Sequence, residues 1–426
     1  MLNSSFFKNS FYVLLLRVSG VVLLFFLSLF LTNFYSANLV GKYDFVRSTI
    51  MLLSGISLLG TNQAIIYYSG VLSSKNSFKS IKAVYIKMFS IIFCMSTFMY
   101  LLFLSFPKEY VNEIFEKQEA YDLIEISIQG LFFYSVALLN IDTIRALKKT
   151  LLSEFFRNIF RYLPIFIFAL ALYFLNQTQM IITWFIIGFI LLFFITGIAV
   201  YVIFDKMKYL NNKTEYISTK EIITTSYPMA LSAISYFIMQ SIDVIFLGIY
   251  NSFETIAYYS IAVKLSSVAA LAIVSVNIVI APKIAKIYKD NNFDKLRGLM
   301  KKATRLNVAV SVPILFCIII FSTYLLSFFG SDYIIAKNAL IILASSQLFN
   351  SISGPSAIFL NMTGRQKTLN IILIIALLIN VALNVTLIPT LGMIGAALST
   401  AISLVLWKIA ASAVVYYLDN IKTFLN

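Results

Sequence analysis

Several ionisable side chains lie inside apolar runs of this sequence, and its chemistry is best sought there. Six are basic, Arg17, Arg47, Lys87, Arg161, Lys264 and Lys408, and Asp243 is the one acid deep in such a run. A charged group at the centre of a membrane helix costs on the order of 3 kcal/mol on insertion scales, so it lines a wet cavity or has a partner. Lys87, Arg161 and Arg145 fall near the ends of their runs, where a long side chain reaches the head groups. Asp142 and Arg145 are three apart, the spacing of an ion pair on one helix face.

Arg17, Arg47 and Lys264 lie deeper. A cluster of cations in hydrocarbon calls for an anion. Arginine meets phosphate with a planar fork of donors, and lysine acts as a point charge. Asp243, in MQSIDVIFLG, is placed to neutralise Lys264 or to bind a coupling cation. A buried Asp243–Lys264 pair with no transport role is the competing reading. Amides extend the polar lining, among them Asn62, Gln240, Asn277, Asn380 and Asn384. Asn380 and Asn384 share a helix face, and bonds between helices are the plainer account of most of these amides.

Other chemistry is scarce. The chain has no histidine, the commonest general base and metal ligand. Cys94 and Cys317 lie in SIIFCMSTF and PILFCIIIF without partners at metal-ligand spacing. No cofactor and no metal are expected.

These residues need elements to hold them. Of 426 residues, 60% are apolar and 12% charged, with mean hydropathy +0.90. A soluble domain is about half apolar and about a quarter charged. The composition therefore excludes a soluble globular domain, and with it disorder. Twelve apolar stretches are predicted to span: roughly 11–32, 46–68, 84–106, 123–144, 159–175 and 181–204, then 222–249, 256–280, 306–329, 339–362, 369–388 and 394–418. The first is read as a retained helix rather than a signal peptide.

Alternate loops on one side carry nearly all the Lys and Arg, including Lys75, Lys208 and Lys213, while the other side has only Lys42, Lys108, Lys117 and Lys337. The positive-inside rule then puts both termini in the cytoplasm and explains the +15 net charge without nucleic acid. The basic segment Lys283–Arg305 is predicted to lie along the membrane as an amphipathic helix. Outer loops are too short for a catalytic domain. Gly354-Pro355, in the middle of a stretch, predicts a bend, and Pro228, Pro282 and Pro313 offer further ones.

The two halves also align. VGKYDFVRSTIMLLSGISLLGTNQAII resembles IAYYSIAVKLSSVAALAIVSVNIVIAP, bringing Tyr43 onto Tyr259, Asn62 onto Asn277 and Arg47 beside Lys264. This predicts two six-helix lobes, 1–210 and 211–426, related by an axis along the membrane normal, with a substrate path at their interface.

YPMALSAISYFIMQSIDVIFLGIYNSFETIAYYSIAVKLSSVAALAIVSVNIVIAPKIAKIYKD resembles the polysaccharide flippase (Wzx-type) branch of the multidrug/oligosaccharidyl-lipid/polysaccharide exporter superfamily. So do FFGSDYIIAKNALIILASSQLFNSISGPSAIFLNMTGRQK and NVALNVTLIPTLGMIGAALSTAISLVLWKI, and LVGKYDFV looks like the family's turn after its first helix. The resemblance implies an all-α, V-shaped, two-lobed membrane transporter with alternating access, not an enzyme. Its substrate would be an undecaprenyl-diphosphate-linked oligosaccharide, moved across the cytoplasmic membrane for O-antigen or capsule synthesis. Membrane lipids would surround it, and polymerase or chain-length machinery would be its protein partners.

Related lipid II flippases carry cavity arginines in their first, second and eighth helices, places that Arg17, Arg47 and Lys264 match here. Those relatives have two further C-terminal helices, so a substrate other than lipid II is expected. Together with Asn62, Gln240 and Asn277, the three cations form the expected substrate site, with Asp243 for ion coupling. A cation-coupled multidrug exporter of the same superfamily is the alternative.

Overall fold

The computed structural model describes residues 4–74, 77–207 and 215–425. Lys75, Lys208 and Lys213, and the expected lobe boundary at 210/211, lie outside them. The chain divides into two compact units, Met1–Ser241 and Ile242–Asn426.

The first unit contains α1 (Ser4–Phe34), α2 (Ala37–Leu58), α3 (Thr61–Ser74), α4 (Phe78–Leu104), α5 (Lys108–Phe115), α6 (Ala120–Ala146), α7 (Thr150–Phe155), α8 (Leu163–Phe174), α9 (Ile181–Met207) and α10 (Thr219–Met239). A π-helix, Phe156–Phe160, joins α7 to the turn before α8. The central element is α6, packed by α2, α3, α4 and α9. Its buried Ser127, Gly130, Ser135, Ala137 and Thr143 let neighbouring backbones approach closely. Asn140 ties it outward, accepting from Tyr85 at 2.6 Å and donating to Thr196 at 3.1 Å.

The second unit contains α11 (Ile242–Tyr250), α12 (Phe253–Lys289), α13 (Phe293–Ile320), α14 (Ser322–Ser327), α15 (Lys337–Ile352), α16 (Ser356–Met362), α17 (Gln366–Leu391) and α18 (Met393–Asp419). Ser252 and Asn292 cap α12 and α13, accepting from the amides of Thr255 and Lys295.

Among the described residues, nine helices are long and apolar enough to cross a membrane, ten when α2 and α3, bent by 44°, count as one span. The other two expected stretches are broken helices. One stops at Met239 and resumes at Ile242, and the other is interrupted between Ile352 and Ser356. Hydropathy finds the stretches, and helix breaks decide which of them are continuous. Pro282 and Pro313 lie inside unbroken helices.

Among the boundaries that differ from expectation, two matter here. The fifth span runs from Thr150 to Phe174, starting well before residue 159. Lys283–Arg305 is not one surface helix. It is the end of α12 and the start of α13, separated by a turn in which Asn291 adopts φ 51°. At 1.5 Å per residue α12 is about 55 Å long, so it outreaches a hydrocarbon core of about 30 Å.

The expected bend at Gly354 is present, and the C-terminal tail closes over it. Thr304 donates to the Thr423 carbonyl at 2.8 Å, and the Leu425 amide donates to the Ile352 carbonyl at 3.0 Å. Ile421 is fully buried in a core with Ile284, Leu296, Met300 and Phe359. Gly354 has φ +70°, and a Cβ there would stand 2.2 Å from the Thr423 oxygen. Gly354→Ala is therefore expected to destabilise the second unit by about 1–3 kcal/mol from backbone strain alone. Thermal unfolding and proteolysis of the tail measure it. An unchanged melting temperature with a protected tail would contradict the packing described.

Candidate functional site

Two polar clusters stand out, one in each unit. In the first unit, Arg17 on α1 makes a bidentate pair with Glu154 on α7, at 2.9 and 2.8 Å. Glu154 is 1% exposed and also accepts from Asn158 at 3.0 Å. Arg47 pairs within α2 with fully buried Asp44, three residues away, at 2.9 Å. Asp142 on α6 accepts from Arg157, in the π-helix, and from Asn62 on α3 at 3.3 Å. Arg161 follows the π-helix. It donates to the Tyr134 hydroxyl at 2.5 Å, and its guanidinium lies over the Tyr134 and Tyr162 rings, 5.1 and 5.5 Å from their centroids.

This arrangement corrects two expectations. Arg17 and Arg47 are not carboxylate-free cations, because each is held by its own buried acid. Asp142 pairs with Arg157 rather than Arg145, which stays exposed at the end of α6. Arg161 lies eleven residues after the start of the helical run at Thr150, with its guanidinium against tyrosine rings. The sequence reading missed Glu154 and Arg157 by starting that span too late. In LLSEFFRNIFR the acid and the two arginines recur at helical spacing, a signal that was available.

In the second unit Asp243, 6% exposed at the start of α11, gathers side chains from three other helices. Its Oδ2 accepts from Tyr259 of α12 at 2.7 Å and from Thr400 of α18. Its Oδ1 accepts from Asn384 of α17 at 2.8 Å. Asn384 also donates to Asn380 at 3.2 Å, and Asn380 donates to Ser403 at 3.2 Å. The Oδ1 of Asn384 is buried without a partner among the described residues.

The donors to Asp243 are all neutral, so the expected pair with Lys264 is not formed. Tyr259 points at the acid, and Lys264, five residues further on, is rotated about 140° around α12. Sequence reasoning missed Tyr259 and Thr400 because a hydroxyl in a span carries no charge to flag it.

The remaining expected contacts are taken each within its own unit. Lys264 is half-buried on α12, and Gln240 is exposed at the break after α10. Asn62 and Asn277, which the internal alignment superposes, both have a buried Oδ1 with no partner among the described residues. Lys408, buried in α18, donates to the Gly354 carbonyl at 3.4 Å.

Residues 228–386 match the MatE family model. The probable low-salt glycan biosynthesis flippase Agl15 of Haloferax volcanii is 26% identical over 195 residues, covering 45% of this chain and 41% of that protein. The probable flippase AglR of the same organism is 24% identical over 176 residues, covering 40% and 36%. The aligned segments thus span about two fifths of these curated relatives. Among solved structures, the lipid II flippase MurJ in an inward closed conformation superposes with TM-score 0.75 at 18% identity, covering 97% of this chain and 87% of that one. An inward-facing multidrug resistance MATE transporter of the MOP superfamily gives 0.71 at 14%, covering 96% and 98%. These matched proteins are transporters and flippases, not enzymes. The chain has the all-helical fold of the MOP exporters, and its stretch 228–386 carries the MatE family pattern.

Proposed function

We propose that this protein flips an undecaprenyl-diphosphate-linked oligosaccharide across the cytoplasmic membrane by alternating access, with both termini in the cytoplasm, in the manner of a Wzx-type flippase supplying O-antigen or capsule. One observation carries the reading. The interior of the first unit holds four arginines, Arg17, Arg47, Arg157 and Arg161, against three carboxylates, Asp44, Asp142 and Glu154. An interior with that balance favours an anionic substrate over a cationic drug. The glycan flippases among the relatives support it.

Arg17 and Arg47 then engage a diphosphate only by exchanging their own acids for it. Gln240 would add a contact, with hydroxyl-rich sugar suiting its amide.

Asp243 is the proposed coupling site. A buried carboxylate held only by neutral donors lacks a counter-charge, which is unfavourable unless a proton or cation joins it. Carboxylate, hydroxyl and amide oxygens suit a hard monovalent cation, and Asn384, bonded to the acid, keeps a buried Oδ1 with no partner among the described residues.

Proteoliposomes containing a fluorescent undecaprenyl-diphosphate oligosaccharide test the function. The purified protein is expected to move the label between leaflets, read by quenching from one side. No movement of the lipid, together with gradient-driven efflux of a cationic dye, would instead establish the multidrug reading.

A further inference from the structure

We propose that Arg161 is the phosphoryl-oxyanion contact of the first unit, taking a diphosphate oxygen. This rests on the proposed anionic, lipid-linked substrate and names the residue that meets it.

The first argument is charge. Arg17, Arg47 and Arg157 are each bonded to a carboxylate, whereas the contacts of Arg161 among the described residues are a phenol hydroxyl and two aromatic faces. Lys87, the other interior cation of this unit without a carboxylate, is capped by the Ile217 carbonyl at 2.6 Å and covers the Tyr216 ring. Arg161 therefore retains a positive charge that no acid among the described residues answers.

The second argument is the apolar run in which it sits. Arg161 lies within the candidate span Thr150–Phe174, and its partner Tyr134 near the centre of Ala120–Ala146. A guanidinium so placed needs water or an anion.

The third argument is geometry. Guanidinium offers five N–H donors, and the Tyr134 hydroxyl uses one of them. The Tyr134 and Tyr162 rings fix its plane, so a bidentate grip on an oxyanion loses little freedom. The π-helix gives this placement a local cause. The Arg161 amide bonds to the Phe156 carbonyl, five residues back. Such π-bulges recur at functional sites.

Purified protein in nanodiscs is titrated with farnesyl diphosphate, inorganic pyrophosphate and farnesol, and Kd is read by calorimetry. Wild type is expected to bind farnesyl diphosphate but not farnesol. Arg161→Gln is expected to raise Kd about tenfold or more. Arg161→Lys should recover part of the loss, and Tyr134→Phe should raise Kd several-fold with the melting temperature held. The Tyr134→Phe result decides the matter if Arg161→Gln does not fold.

Unchanged affinity in Arg161→Gln with wild-type binding intact overturns the assignment and leaves the flippase reading standing. Wild type that binds neither diphosphate overturns both. Pyrophosphate bound as tightly as the lipid supports an anion site at Arg161 and counts against a lipid-linked ligand.

Discussion

Asp243→Asn is expected to lower ion-stimulated transport by roughly 5- to 150-fold, the range of a coupling free energy of a few kcal/mol, with the protein still folded. The fold should survive because asparagine keeps one oxygen for Tyr259 and Thr400. Its amide nitrogen then faces Asn384, whose own amide can turn to present oxygen. What disappears is the only charged oxygen of the cluster, and with it the attraction for a cation. Transport in proteoliposomes under imposed sodium or proton gradients, normalised to reconstituted protein, makes the measurement. A variant that responds to the gradient as wild type does would remove Asp243 from coupling.

The second large effect concerns Arg17 and Glu154. Arg17→Ala leaves a carboxylate that is 1% exposed with only Asn158 for support. Breaking a buried pair in this way costs about 3–5 kcal/mol. Arg17 is itself 26% exposed, so the lower end applies here. Single substitution should therefore lower the melting temperature and the amount of protein in the membrane. The double change Arg17→Met with Glu154→Met removes both charges and should restore stability to near wild type. Transport by the double variant then separates two roles. Retained flipping means the pair is structural; loss of flipping in a stable protein means Arg17 trades Glu154 for substrate.

The sequence shows most of this fold and only part of the chemistry, for identifiable reasons. Apolar runs located the spans because lipid demands them, and Gly354-Pro355 marked a real break. The start of the fifth span was misplaced because hydropathy weighs residues one at a time. Glu154 and Arg157 fell before the expected start of that stretch, yet each is matched by a partner on another helix. The same blindness made Arg17 and Arg47 look unpaired. Asn380 and Asn384 announced a polar face through their spacing, but nothing in a linear string says that Asp243, more than a hundred residues earlier, faces them. Helix phase was the unused clue: Lys264 could not share the face of Tyr259.

The tail over the Gly354 break has a practical meaning for handling this molecule. Chain ends usually tolerate fusions and trimming, but here Ile421 and Thr423 are as sequestered as any interior residue. A truncation before Ile421 would remove the segment that straps the interrupted helix down. A preparation cut within it that loses activity would indict the cut before it indicts the protein.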